Sequence, residues 1–72
     1  MHPARIAPPR PGEVRALNDR LSDRRISVAP PEWSQADGLW EVRIRTADGF
    51  VEFARGPSAG HAWRSALVFL ES

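Results

Sequence analysis

The sequence predicts a small α+β domain of order α-β-β-β-α: a three-stranded antiparallel meander with both helices packed on one face. Three observations predict it. The tripeptide Ala-Asp-Gly occurs twice, at Ala36-Asp37-Gly38 and Ala47-Asp48-Gly49, each time followed by a run in which apolar and polar residues alternate. Alternation marks a half-buried strand, and an Asp-Gly pair suits a tight hairpin because glycine tolerates positive φ without strain. Before the meander, Val14, Leu17 and Leu21 recur at helical spacing, and after it Ala59, Ala62, Trp63, Ala66, Leu67 and Leu70 form one continuous helical stripe.

Residues 1–12 hold four prolines, Arg5 and Arg10, with Ile6 as the one sizeable hydrophobe, so they are expected to form a flexible, extended arm ahead of a single domain at 13–72. Residues 13–24 read as a short amphipathic helix with Glu13 near its start and Arg24 and Arg25 at its end, as the helix dipole favours. Ile26 and Val28 suit a fourth short strand or an extended connection. Because Pro30 and Pro31 stop strand pairing, a connection that tucks both side chains under the core is the expectation.

With two-residue loops at Asp37-Gly38 and Asp48-Gly49, the meander over residues 32–55 sets Trp33 opposite Val42 and Ile44 opposite Phe53, all toward one face. The other face then pairs Glu32 with Arg43 and Arg45 with Glu52, so that opposite charges meet. A three-residue second loop would set Ile44 against Glu52 and invert the last strand. Gly56-Pro57 ends that strand, and Ser58 is placed to cap a helix running to about Glu71. The three tryptophans are expected to carry much of the core.

Composition narrows the function. The chain has 72 residues, no cysteine, two histidines and a formal net charge of +1, so disulfides and thiolate metal sites are excluded and a structural zinc is not expected. All ten basic residues are arginine and are interspersed with nine acids, a pattern expected of a GC-rich genome more than of a one-signed nucleic-acid face. No apolar run reaches membrane-spanning length and no signal-peptide core opens the chain, which predicts a cytoplasmic protein, bacterial or from a phage. No cofactor is predicted.

Gly56-Pro57-Ser58-Ala59-Gly60 matches the Gly-x-Ser-x-Gly nucleophile pattern. An elbow serine needs a histidine base and an orienting acid assembled on a larger parallel sheet, so Ser58 reads as a helix cap and His61, in the first turn, as a surface residue.

The order helix, meander, helix resembles the double-stranded RNA-binding domain. Pro31-Glu32-Trp33 is similar to that family's Pro-x-aromatic first strand, Trp40-Glu41-Val42-Arg43-Ile44 to its central strand, and Gly56, Ser58, Ala62, Ala66, Leu67 and Leu70 to its glycine-serine turn and alanine-rich second helix. Ala59, Gly60 and Trp63 stand where the family carries its phosphate-gripping lysines, and Asp37-Gly38 replaces its long groove-entering loop. The resemblance therefore implies the fold with a surface turned to protein partners, including dimerisation through the third strand of the meander and the last helix. A weaker resemblance links Trp40 to Gly49 with the arm-type DNA-binding domain of phage integrases, which reads DNA with its sheet.

The expectation is a non-enzymatic protein-interaction module, an adaptor, regulator or phage-type inhibitor, contacting a protein partner or itself through Phe50, Glu52, Arg64, Val68 and Phe69. The alternative is nucleic-acid binding, to double-stranded RNA or DNA, through Arg5, Arg10, Arg15, Arg43 and Arg45.

Overall fold

The computed structural model describes residues 6–71. Helix α1, Pro11–Leu21, begins two residues before the start at Glu13 that its periodicity predicts, because Pro11 supplies a first helical position with φ already set. Leu17 and Leu21 are buried and Val14 packs beside them. A single 3₁₀ turn, Ser22–Arg24, leads into Arg25 at φ 58°, the left-handed conformation that commonly ends helices.

Ile26 and Val28 tuck into the core as expected, but the segment that carries them is not an unpaired connection. Residues Ser27–Val28 are a strand, β1, paired antiparallel with β3 (Leu39–Arg45), with Val28 opposite Ile44. Pro30 and Pro31 interrupt that edge, and β2 (Glu32–Ser34) resumes along the same side of β3. Strand β4 (Val51–Gly56) pairs with the opposite side, and α2 (Ala59–Glu71) closes the fold. The result is an α+β domain with a four-stranded antiparallel sheet and both helices on one face.

Neither hairpin has the two-residue loop that the Asp-Gly pairs suggested. In the first, Ser34 pairs with Leu39 and the Gly38 amide donates to the Ser34 carbonyl at 2.8 Å, so four residues make the loop. Trp33 consequently faces Trp40 and not Val42, a shift of two residues that preserves the faces. The second hairpin closes on Thr46 and Phe50. The Gly49 amide donates to the Thr46 carbonyl at 3.0 Å with Gly49 at φ 86°, giving a three-residue loop in which Asp48 has no positive φ. That one-residue difference inverts β4. Ile44 faces Glu52, Val42 faces Ala54, and Phe53 and Val51 turn to the face without helices.

The expected charge pairs are lost with it. Glu32 stands opposite Glu41, Arg43 opposite Phe53, and Arg45 opposite Val51.

The inversion follows from how closely α2 lies on β4. A Cβ added at Gly56 would meet the Ala62 nitrogen and the His61 Cβ, both at 2.7 Å, so only glycine fits there. Ala54 on the strand and Ala62 and Ala66 on the helix line the same contact and are buried. A phenylalanine at position 54 would hold the layers apart. Core volume comes instead from Leu17, Leu21, Val28, Val42, Ile44 and Trp63. Of the other tryptophans, Trp40 packs partly against this cluster, whereas Trp33 is 52% exposed and meets Trp40 edge-on at 6.0 Å between ring centroids.

Asn18 fastens α1 to the sheet. Its side chain donates to the Val28 carbonyl at 2.8 Å and accepts from the Val28 amide at 2.7 Å, filling both backbone positions that β1 turns away from β3. The carboxamide thus acts as one more peptide unit on that edge.

Two substitutions, with Gly12→Ala as a control, test these contacts by urea unfolding. Gly56→Ala is expected to lose about 1–3 kcal/mol through overpacking, whereas Gly12→Ala, with open space around it, should lose nothing. Asn18→Ala is expected to lose about 1–2 kcal/mol by unpairing the Val28 backbone.

Candidate interaction surface

The helices cover one face of the sheet and leave the other bare. Strand alternation sends odd-numbered residues of β3 and β4 to the bare face. Across it the register forms rows: Ser27, Arg45 and Val51; then Ala29, Arg43 and Phe53; then Glu32, Glu41 and Arg55. The apolar members are solvent-facing, with Phe53 47% and Val51 40% exposed, and Phe50 just before β4 is 68% exposed.

Charge is unevenly distributed over these rows. The Arg55 Nε donates to Glu41 Oε2 at 2.8 Å, lies 3.7 Å from Asp37 Oδ2, and its guanidinium sits 5.6 Å from the Phe53 ring centroid. The hydrogen bond from Arg55 holds the Glu41 carboxyl below the usual carboxylate range, opposed by some desolvation. Among the described residues these are the ion pairs that form, so Arg43 and Arg45 have no acid partner. The salt-bridged bare face that the two-residue loops implied is corrected accordingly.

The two edges of the sheet differ as well. Hydrogen-bonded and non-hydrogen-bonded pairs alternate along an antiparallel ladder. Starting from the Thr46–Phe50 pair that closes the hairpin, the amides and carbonyls of Val51, Phe53 and Arg55 point away from β3. Among the described residues no backbone hydrogen bond reaches them. The opposite edge is blocked by Asn18 and broken at Pro30-Pro31.

The residues singled out from sequence fall in separate places. Arg64 and Val68 lie with His61 and Ser65 on the stripe of α2 that borders β4, lining a groove with Ile6, Arg55, Gly56 and Pro57. Glu52 is on the helix side of β4 at its exposed start, and Phe50 immediately precedes the strand. Phe69 is exposed near the end of α2. Of the arginines, Arg43 and Arg45 share one face two residues apart. Arg10 and Arg15 are exposed at the start of α1, in the helix layer. Arg5 lies outside the described residues. Sequence reasoning included Val51, Phe53 and Arg55 only as part of the strand from Phe50 to Arg55 implied by the family resemblance, and turned Phe53 toward the core. The signal for their outward face was the alternation of small Ala54 and Gly56 with larger neighbours.

Ser58 caps α2 as expected: its Oγ accepts from the His61 amide at 3.2 Å. The same oxygen lies 2.6 Å from His61 Nδ1. Among the described residues no carboxylate is hydrogen-bonded to that ring to serve as the orienting acid of a nucleophilic set. Among the described residues no cluster of histidines and acids is arranged to hold a metal ion, and no helix is long and apolar enough to cross a membrane. Comparison with protein-family models, curated proteins and solved structures gives no match.

The Glu41–Arg55 contact predicts an acid-side loss of stability. A carboxyl whose folded pKa is lowered adds stability above its unfolded pKa and loses it as pH falls through the folded value. The melting temperature should therefore fall as pH drops through and below the usual carboxylate range, and Arg55→Gln should lower it modestly at neutral pH and converge with the wild type in acid, which flattens that slope. Melting curves over an acid pH series read the difference.

Proposed function

We propose that this chain is a non-enzymatic protein-interaction module that takes a β-strand from its partner along the free edge of β4. One observation carries the reading. One side of the sheet is closed by a side-chain amide and two prolines, while the outer side of a six-residue strand offers the backbone groups of Val51, Phe53 and Arg55 with exposed apolar side chains beside them. An undefended edge of this kind is a template for strand addition.

A second copy of the chain suits the edge. Antiparallel pairing of β4 with itself about Phe53 is isologous, and it sets Glu52 of one copy opposite Ala54 of the other. Arg64 and Val68 border the Arg55-Gly56 end of β4, next to Ala54, so the partner's Glu52 would enter on the side of the sheet that carries Arg64 while Phe53 meets its symmetry mate on the bare face. Phe50 and Phe69 extend the apolar contact at the ends. In this proposal the chain has the double-stranded RNA-binding type of fold. Its Gly60 and Trp63 are buried, and Ala59 half-buried, which supports packing roles where that family grips phosphate. The proposal places it in the cytoplasm as an adaptor, a regulator or a phage-type inhibitor.

Val51→Pro tests the reading, because it removes an outward amide and leaves the β3 ladder intact. Wild-type chain should show concentration-dependent mass by sedimentation, or retain a specific protein in affinity capture from its source cell, and Val51→Pro should abolish either. Identical association by a folded Val51→Pro variant would refute strand addition.

A further inference from the structure

The bare face of the sheet carries a second feature, which shares Phe53 with β4 but uses its side chain and not the backbone of the edge. Arg43 and Arg45 lie two residues apart on one strand and point the same way, so their side chains leave the sheet roughly 6.6 Å apart. Both are exposed and neither meets an acid. Directly across from Arg43, at a non-hydrogen-bonded position where side chains approach closely, stands the half-exposed ring of Phe53. Ser27, opposite Arg45 on β1, adds an exposed hydroxyl, and Arg43 and Arg45 together line a shallow groove with Ser27, Val28 and Ala29.

We propose that Arg43, Arg45 and Phe53 form a binding site for single-stranded nucleic acid, with two successive phosphates on the arginines and one base stacked on the phenylalanine. The spacing of the two guanidinium stems is that of neighbouring phosphates on an extended strand. An aromatic ring beside such a pair is what a flexible single strand with unpaired bases can use, and what a duplex, with its bases stacked inside, cannot. Arg55, over the other side of Phe53, holds the ring in place and is itself held by Glu41.

The acids on this face favour one end. Glu32 and Glu41 stand opposite each other in the row beyond Phe53, and Glu41 is neutralised by Arg55. The strand is therefore confined to the two rows of Arg43 and Arg45, a site of two or three nucleotides. An acidic peptide offers the charge but no base to stack.

Fluorescence anisotropy of a labelled oligothymidylate with the full chain tests the site. Two phosphate contacts on a single strand give a slope of about −1.4 in log affinity against log salt, about a sevenfold loss for a fourfold rise in salt. Arg43→Gln or Arg45→Gln should bring the slope to about −0.7, while the Arg43→Lys, Arg45→Lys double variant keeps it. Phe53→Leu should weaken binding about fivefold or more without altering the slope. Val51→Pro should leave all of this unchanged, which separates this site from strand addition. Absence of binding at low salt, an unchanged slope in the Arg43→Gln, Arg45→Gln double variant, tighter binding of the matching duplex, or equal binding of an oligoglutamate of the same charge would each overturn the proposal.

Discussion

The close seat of α2 on β4 is the contact from which the rest of the structure follows. Gly56 lies under the backbone of His61 and Ala62 with no room for a methyl group, and Ala54, Ala62 and Ala66 continue the contact along the helix. Layers this near exclude a large side chain at positions 54 and 56, on the helix side of β4. The strand must then turn Val51, Phe53 and Arg55 outward. What the protein shows to solvent is thus a consequence of how tightly its interior packs.

Much of the fold was legible in the sequence. Both helices, the meander and the serine cap are local features, set by apolar spacing and by one side chain's reach to its own helix. The core stripe of α2 was equally readable. The register was not. An Asp-Gly pair fits a two-residue loop, and it fits the end of a three-residue loop just as well when only the glycine takes positive φ. The choice between them was made by Ala54 and Gly56 against α2, a contact distant in sequence. Strand β1 was hidden for a related reason: two residues ahead of a proline pair carry little local signal, and they pair only because β3 and Asn18 bracket them.

The surface was less legible than the fold because it inherits the register. A net charge of +1 with acids and arginines interspersed describes an even mixture, and the two-residue loops would have made it one, with each arginine facing an acid. In the folded chain Glu32 faces Glu41 and the arginines face Phe53 and Val51. The same residues therefore yield one row in which Arg55 pairs with Glu41 and two rows whose arginines, Arg43 and Arg45, meet no acid among the described residues. Composition averages over such rows, so it cannot report a local field.

The two edges of the sheet extend the same reasoning to the backbone. An edge strand must be blocked, broken or used. On the β1 and β2 side the chain blocks and breaks it, with Asn18 reproducing a peptide's donor and acceptor and with two prolines that cannot donate. On the β4 side neither device is present, although the strand is longer and its side chains are more apolar. Asn18 also ties this difference to stability: it must stay on Val28 for α1 to remain docked, so the closed edge cannot open without loosening the core. The β4 edge carries no comparable structural duty. Among the described residues, a strand added along β4 would leave the packing of the domain as it is.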